Sequence, residues 1–330
     1  MISPISIGSK LLQINKSPSE SLERISKRKC FNKLSSYAIY LNAPNLKESV
    51  GIYKNCTQET IFGLGSLTKL FTAALSLKFL NPKASLKDFG YGESLPEASI
   101  SQLLTHTSGI LDYRNVQTVN ELKRLLNAPD TDELIQIMLS KNKGLEGTKP
   151  EGDSHLYSNS NYLLLQKLLE SKTSKTFREL MSEFILPKGE SMGFLSDINV
   201  NYLSRPYRQI LFFKKDLSNY DPGVRLGIGD SGLLSNIESL EKCFRDTVDD
   251  PHFLQSHNEI KTPIGTSGQC YGAGLIDNGD EVYWHNGQVP SCWNSLAIYD
   301  KTEQIFLGVL QTLNGKQNIK PLTPEILNEI

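Results

Sequence analysis

Residues 63–82, GLGSLTKLFTAALSLKFLNP, contain the helix from which the fold of this chain can be worked out. Apolar side chains recur at helical spacing from Leu67 and Leu70 to Ala74 and beyond. The Asn-Pro pair at the end of the stretch stops the helix. Because apolar side chains occupy nearly every side of it, we expect this helix to be buried in the protein.

Runs with strand character lie on both sides of this helix in the sequence. Before it, strands are predicted at 37–41 and 50–53. After it, they are predicted at YGAGLID (271–277), EVYWHNG (281–287), CWNSLAIYD (292–300) and QIFLGVLQTL (304–313). The first two of the later runs are predicted to form a hairpin around a type I′ turn at Asn278-Gly279.

The sequence between these strand regions is mainly helical with loops. Helices are predicted at 99–104, 119–127, 131–140, 160–171 and 175–184, and residues 235–238, SNIE, fit a capping box that opens another. Near the N-terminus a helix is predicted over 18–34, entered at Pro18, and a final helix is predicted near Pro324.

These elements together predict an α+β fold: an antiparallel sheet from the N- and C-terminal parts, flanked by helices, with an inserted helical lobe. We expect a single domain over residues 1–330. Its α/β part would take up about 18–80 and 266–330, and the helical lobe about 81–265.

The composition excludes several classes of protein. Of 330 residues, 38% are apolar and 22% charged, and the formal net charge is −1, so we expect no nucleic-acid partner. No run of about 18 apolar residues is present, so no membrane span is expected. The five cysteines, odd in number and without C-x-x-C spacing, argue against a disulfide framework or a zinc site.

The first twenty residues have neither a basic start nor a continuous apolar core, so they do not look like a secretory signal. We therefore expect a cytoplasmic protein, or one that is exported by a non-standard route.

Ser66 and Lys69 form a Ser-x-x-Lys motif at the start of the buried helix. Residues three apart share a helix face, so the lysine amine can reach the serine hydroxyl. A serine needs a neighbouring base to become a nucleophile, and a neutral lysine amine can supply it. The partial positive charge of a helix N-terminus favours an oxyanion nearby.

The motif is weak evidence by itself. It recurs at Ser26, Ser140 and Ser239, each followed three residues later by lysine, where we expect polar, solvated helix faces.

Tyr157-Ser158-Asn159 lies where a loop runs into a predicted helix. A phenol next to an ammonium ion can relay protons, and an asparagine amide can hold a substrate carbonyl or orient the lysine. The alternative is an ordinary turn and helix cap with Tyr157 packed on the surface.

His285-Asn286-Gly287 ends a predicted strand. A glycine there lets a substrate approach the strand edge closely. The next backbone N–H, at Gln288, could pair with that of Ser66 in an oxyanion hole. The alternative is a hairpin end that carries a surface histidine.

Taken together, these motifs resemble the family of class C β-lactamases, D-alanyl-D-alanine peptidases and related esterases, also described as penicillin-binding-protein-like. The resemblance runs from about residue 36 to 314. Its motifs, in matching order and spacing, are ETIFGLGSLTKLFTA (59–73), SISQLLTHTSGILDY (99–113), PEGDSHLYSNSNYLLL (150–165), DSGLLSNIESLEKCF (230–244), YGAGL (271–275) and HNGQVPS (285–291).

The resemblance implies that Ser66 is the nucleophile and that Lys69 and Tyr157 share the general acid–base work, with either as the base. It implies substrate-binding roles for a second group: Asn159, His285, Gly287 and Gln288. It implies no cofactor and no metal.

The implied activity is that of a serine hydrolase acting through a Ser66 acyl-enzyme on a small ester, amide or D-amino-acid peptide. Class C β-lactamases usually carry lysine at the His285 position, so efficient β-lactam hydrolysis is less expected than carboxypeptidase or esterase activity. The alternatives are a penicillin-binding protein with a long-lived adduct, or a non-catalytic binding or assembly protein.

Overall fold

The buried helix predicted within residues 63–82 is present in the computed structural model, which describes residues 7–31, 35–148, 154–186, 188–189, 191–210, 213–266, 268–313 and 321–327. It begins as a 3-10 turn, Gly65–Leu67, and continues as an α-helix over Thr68–Phe79. Even polar side chains of this helix, such as Lys69, are buried, so it lies inside the protein as expected.

The described residues form thirteen strands. They are β1 (Tyr37–Asn42), β2 (Val50–Lys54), β3 (Phe62–Gly63), β4 (Met192–Gly193), β5 (Tyr207–Ile210), β6 (Phe213–Asp216), β7 (Leu234–Ser235), β8 (Thr262–Pro263), β9 (Cys270–Gly272), β10 (Leu275–Asp277), β11 (Val282–Val289), β12 (Trp293–Asp300) and β13 (Ile305–Thr312).

Eleven α-helices are seen in the same described ranges. They are α1 (Ile7–Lys16), α2 (Pro18–Ser26), α3 (Thr68–Phe79), α4 (Ile100–Leu104), α5 (Val119–Leu126), α6 (Thr131–Lys141), α7 (Asn159–Thr173), α8 (Phe177–Phe184), α9 (Pro222–Leu226), α10 (Ile237–Asp249) and α11 (Pro251–Ile260).

Eight of the strands form one antiparallel sheet in the order β2-β1-β13-β12-β11-β10-β9-β8. Strand β1 of the N-terminal part pairs with β13, which places Tyr37 opposite Gln311 and Asn42 opposite Phe306. The sheet therefore joins the two ends of the chain, which confirms the predicted α+β fold.

Helices cover both faces of this sheet. On one face, Leu22 of α2 belongs to the same buried cluster as Ile298 of β12. On the other, the ring of Phe244 in α10 lies 5.9 Å from that of Phe306 in β13. All residues of β12 and β13 are buried as a consequence, and Gly287 of β11 lies opposite Ser295 of the buried β12.

The predicted N-terminal helix over 18–34 is too long. Helix α2 ends at Ser26, where the Lys27 N–H bonds to the Arg24 carbonyl, and residues 32–34 lie outside the described part of the chain. Helix α1 was not predicted, although Leu11 and Ile14, three residues apart, are both buried.

YGAGLID does not form one strand. Ala273 and Gly274 have φ angles of +47° and +72° and turn the chain between β9 and β10, so that Leu275 lies opposite Gly272. Two consecutive residues with positive φ are the signature of a tight two-residue hairpin.

The predicted type I′ turn at Asn278-Gly279 is wrong by two residues. Positive φ angles at Asp280 and Glu281, of 51° and 57°, reverse the chain there, and the Val282 N–H bonds to the Gly279 carbonyl. Gly279, with φ +79°, is the first residue of this turn, and the predicted hairpin itself is present as β10 and β11.

The predicted capping box at 235–238 is also wrong. Ser235 is the last residue of strand β7, so it cannot cap α10. The N-cap is Asn236, whose side chain accepts from the Ser239 N–H. The final helix predicted near Pro324 is a 3-10 turn, Pro324–Leu327.

Residues between β2 and β8 are mainly helical, and they also contain the short sheet β3-β7-β4 and the hairpin β5-β6. The division into an α/β part at about 18–80 and 266–330 and a lobe at about 81–265 stays a prediction.

Candidate active site

Ser66 lies in the 3-10 turn that opens α3, and this turn is packed directly against strand β11. Gly65 has φ +53°, and a Cβ atom there would lie 2.7 Å from the Gln288 nitrogen. A Cβ at Gly287 would lie 1.9 Å from the Leu64 carbonyl oxygen and 2.9 Å from the Ser66 nitrogen. Only glycine permits such an approach, which brings the backbone segments that contain Ser66 and Gln288 close together.

Lys69 is fully buried next to Ser66. Its Nζ lies 3.0 Å from Ser66 Oγ, 2.8 Å from Asn159 Oδ1 and 2.8 Å from the Asp230 backbone oxygen. The last two atoms can only accept hydrogen bonds. They therefore hold two of the lysine's protons whatever its charge, and the third position on Nζ points at the serine hydroxyl.

Tyr157 lies within hydrogen-bond distance of the same serine hydroxyl. Its OH lies 2.9 Å from Ser66 Oγ, and Lys69 Nζ lies 5.1 Å from its ring centroid. The Tyr157 side chain is 38% exposed, so this side of the serine faces solvent. Ser66 Oγ thus lies between a buried amine and an accessible phenol.

Asn159 begins helix α7 and has a fixed orientation. Its Oδ1 accepts from Lys69, while its Nδ2 donates to Asp112 Oδ2 at 2.8 Å. The carboxylate can only accept, so it keeps the amide oxygen turned toward the lysine.

A buried ionic network lies behind Lys69 and was not identified from the sequence. The fully buried Asp230 carboxylate accepts from the Tyr113 hydroxyl at 2.7 Å and from Arg114 Nε at 3.0 Å, and Arg114 also pairs with Asp221 at 2.9 Å. Burial acts to raise the pKa of Asp230, but the charges of Arg114 and Lys69 hold it below its usual range. The network fixes the Asp230 backbone oxygen against Lys69.

His285 is buried inside the protein, next to Tyr271. Its side chain is 2% exposed, with Nε2 3.3 Å from the Tyr271 hydroxyl and Nδ1 against the Asn286 carbonyl. Burial, with the charge of Lys69, lowers the pKa of His285 to about 3, so the ring is neutral. In this structure both ring nitrogens are bonded within the protein, and the predicted contact of His285 with substrate stays a prediction.

A cavity of about 620 Å³ adjoins the tyrosine. Leu111 and Leu156, 40% and 55% exposed, are part of its apolar lining. The remaining lining residues are Ile110, Asp112, Asn115, Gln117, Glu121, Arg124, Ile137, Ser140, Lys141, Tyr157 and Ser158.

The other Ser-x-x-Lys motifs have ordinary structural roles. The hydroxyls of Ser26 and Ser140 donate to the carbonyls of Glu23 and Gln136 in their own helices. Ser239 is buried rather than solvated as predicted, and its hydroxyl accepts from the backbone N–H of Ser191, just before β4.

No group of three or more His, Cys, Asp or Glu side chains that could hold a metal is found among the residues described. Within the same ranges, no helix is both long and apolar enough to cross a membrane. Residues 150–153 of the segment before Tyr157 lie outside the described chain.

Sequence reasoning had named Ser66, Lys69, Tyr157, Asn159, Gly287 and Gln288, and the structure brings all six together. It had not named Asp230 or Arg114 as part of the site, although Asp230 opens the family-like segment 230–244 and Arg114 directly follows segment 99–113. Their partnership is a long-range contact that periodicity does not reveal.

The family model described as Beta-lactamase matches residues 47–327. This chain therefore belongs to the β-lactamase family. The match includes all of the residues that surround Ser66.

Protein flp of Staphylococcus aureus is 24% identical over 323 residues, covering 88% of this chain and 61% of that protein. A D-aminopeptidase of Gluconobacter oxydans is 24% identical over 271 residues, covering 77% of this chain and 50% of that one. The chain thus spans between half and two thirds of the length of these relatives.

Among solved structures, the D-amino acid amidase from Ochrobactrum anthropi SV3 complexed with D-phenylalanine gives a TM-score of 0.73 at 16% identity. The match covers 94% of this chain and 96% of that one. At this identity the likeness shows the fold alone.

Proposed function

We propose that this protein is a serine hydrolase that forms an acyl-enzyme on Ser66 with small esters, amides or D-amino-acid peptides. The observation that carries the proposal is the placement of Ser66 Oγ at 3.0 Å from Lys69 Nζ and 2.9 Å from the Tyr157 hydroxyl. Acyl transfer requires a base that takes the serine proton and an acid that protonates the leaving group, and both side chains are within hydrogen-bond distance of Ser66 Oγ.

In the acylation step, Ser66 Oγ attacks the carbonyl carbon and its proton passes to a base. Either Tyr157, as a phenolate next to the Lys69 ammonium, or Lys69, as a neutral amine, can take it. The same proton then goes to the leaving oxygen or nitrogen as the carbon–leaving-group bond breaks. The developing oxyanion would lie between the N–H groups of Ser66 and Gln288.

Deacylation reverses these roles. Water attacks the ester carbon, the base takes the water proton, and Ser66 leaves with a proton returned to its oxygen. No atom of the cycle has to come from a metal or cofactor.

We expect this site to favour substrates that have no free carboxylate near His285. A lysine there would offer a positive charge, whereas His285 is buried and neutral. The names of the relatives, an aminopeptidase and an amidase that act on D-amino acids, agree with an amide or ester whose carboxylate is blocked. The exposed Leu111 and Leu156 suit an apolar side chain on the substrate.

A substrate panel tests the proposal. Turnover of p-nitrophenyl acetate, the p-nitroanilides of D- and L-alanine, and benzylpenicillin would be measured for wild type, Ser66→Ala and the control Ser26→Ala, which alters another Ser-x-x-Lys motif, one outside the cavity. We expect ester or amide turnover by wild type and Ser26→Ala and none by Ser66→Ala. Equal turnover in Ser66→Ala would overturn the proposal, as would a folded wild type inert toward every substrate.

A further inference from the structure

Three buried side chains near Tyr157, those of His106, Tyr271 and His285, form a continuous hydrogen-bonded chain. The Tyr271 hydroxyl lies 3.3 Å from His106 Nε2 and 3.3 Å from His285 Nε2. All three side chains are at most 2% exposed. His106 lies in the segment after α4, Tyr271 in β9 and His285 in β11. The hydrogen-bonded chain therefore connects the segment after α4 to the eight-stranded sheet.

The direction of the chain is set by its two ends. At one end the Ser158 backbone N–H, which can only donate, points at His106 Nδ1 at 3.2 Å. His106 therefore carries its proton on Nε2 and donates to Tyr271. At the other end the Asn286 carbonyl, which can only accept, faces His285 Nδ1. His285 therefore carries its proton there and accepts from Tyr271 through Nε2.

The phenol oxygen of Tyr162 also lies close enough to accept the Tyr271 proton, but it does not change this assignment. Its hydroxyl donates to the Leu104 carbonyl at 3.1 Å. Tyr271 has one proton to give, and the imidazole lone pair of His285 is a stronger acceptor than a phenol oxygen. The Tyr271 proton is therefore assigned to His285 Nε2.

His106 forms hydrogen bonds with the residues that come directly before and after Tyr157. Its carbonyl accepts from the Leu156 N–H at 2.8 Å, its ring accepts from the Ser158 N–H, and its ring centroid lies 4.2 Å from that of Tyr157. His106 has a φ of +58°, a left-handed backbone that few non-glycine residues adopt and that clusters at functional sites. This backbone lets one residue hold both neighbours of the tyrosine.

The other end of the hydrogen-bonded chain is His285, which lies in β11, the strand that packs against the turn containing Ser66. His285 precedes by two residues Gly287, whose Cα approaches the Leu64 carbonyl closely. The hydrogen-bonded chain therefore connects His106, which binds the loop of Tyr157, with β11, which packs against the turn that contains Ser66.

We propose that His106, Tyr271 and His285 form a hydrogen-bond chain of fixed direction whose role is to position Tyr157 against Ser66. The three are positioning residues, since their polar side-chain atoms are bonded within the protein, and the inference rests on the proposed function of Ser66 and Tyr157. Removing the Tyr271 hydroxyl breaks the chain in its middle while leaving both histidines and the aromatic ring in place.

The chain works only while both histidines are neutral. A second proton on His106 would point at the Ser158 N–H, and one on His285 Nε2 would point at the Tyr271 proton. Burial, reinforced by the charge of Lys69, lowers the pKa of both imidazoles, which is consistent with this state.

The first test reads the tautomers and needs no catalysis. Nitrogen-15 NMR of histidine-labelled wild type and Ser66→Ala, with signals assigned by His106→Gln and His285→Gln, should show His106 protonated on Nε2 and His285 on Nδ1. Finding the two rings in the same tautomer, or either ring charged at neutral pH, overturns the chain even if the protein proves to be no hydrolase.

The second test measures acylation. In stopped-flow bursts with p-nitrophenyl acetate, Tyr271→Phe should lower the acylation rate constant by about 10- to 100-fold with little change in KM, as expected when a reacting group is displaced by about an ångström. The control is Tyr299→Phe, which removes another buried hydroxyl, one bonded to Asp249. It should stay within about twofold of wild type.

A wild-type burst rate in Tyr271→Phe overturns the positioning role. An equal loss in Tyr299→Phe also does so, since it would show that any lost buried hydroxyl has this effect. Failure of the proposed function looks different, because wild type itself would then show no burst.

Discussion

Lys69 Nζ lies 3.0 Å from Ser66 Oγ, at the one position on that nitrogen not taken by an obligate acceptor. Because Asn159 and Asp230 supply carbonyl oxygens, the amine can gain or lose the proton it shares with Ser66 without giving up another bond. A buried lysine held in this way is suited to exchanging one proton with the serine.

Lys69→Met should therefore abolish acylation while keeping the volume of the buried side chain. We expect a loss of at least about 1000-fold in the burst rate with an activated ester, since relay members act as a unit. The control is Lys143→Met in another Ser-x-x-Lys motif, where the lysine is exposed. A variant at position 69 that retained the wild-type rate would remove the lysine from the mechanism.

Tyr157→Phe should slow acylation by about 100- to 10,000-fold, the usual contribution of a general acid or base. Because Tyr157 is 38% exposed, the free energy of unfolding should change little. Burst kinetics and urea denaturation measure the two effects, with Tyr220→Phe, 45% exposed, as control. If the variant reacts at the full rate, Tyr157 plays no part in proton transfer.

Gly287→Ala should disable the site through its backbone. The added methyl would overlap the Leu64 carbonyl at 1.9 Å, so strand β11 must move away from the turn that holds Ser66. We expect a loss of about 1–3 kcal/mol of unfolding free energy and of most esterase activity. Gly193→Ala, where the nearest side-chain atoms lie 3.6 Å away, is the matched control. An active, fully stable Gly287→Ala would contradict the packing described.

Asp230→Asn should destabilise the protein in a pH-dependent way. Replacing one partner of a buried ion pair costs about 3–5 kcal/mol. The pKa of Asp230 is lower in the folded state, so its stabilisation is complete above the unfolded value of about 4 and is lost as the pH falls through the folded value. Urea unfolding at several pH values should show the gap between wild type and variant narrowing in acid. A gap that stays constant would show that Asp230 does not titrate as described.

How far the sequence could predict the fold depends on the range of the interactions involved. The buried helix around Leu70 and the strands of the C-terminal part follow from local periodicity. Ser66 and Lys69 meet because one helix turn separates them, and family resemblance added Tyr157 and Asn159.

The parts that escaped prediction depend on distant partners. Asp230 is bound to Arg114, 116 residues away, and His285 is neutral because the tertiary structure buries it. Turn positions were also missed, since Ala273 adopts a positive φ that its residue type does not signal.

The most direct measurement is the intact mass of the protein after brief exposure to p-nitrophenyl acetate and, separately, to benzylpenicillin, followed by peptide mapping. The account predicts an acyl adduct on wild type at Ser66, and none on Ser66→Ala, with a lifetime that separates a hydrolase from a penicillin-trapping protein. The same adduct on Ser66→Ala, or no adduct on a folded wild type, would contradict the assignment of Ser66 as the nucleophile.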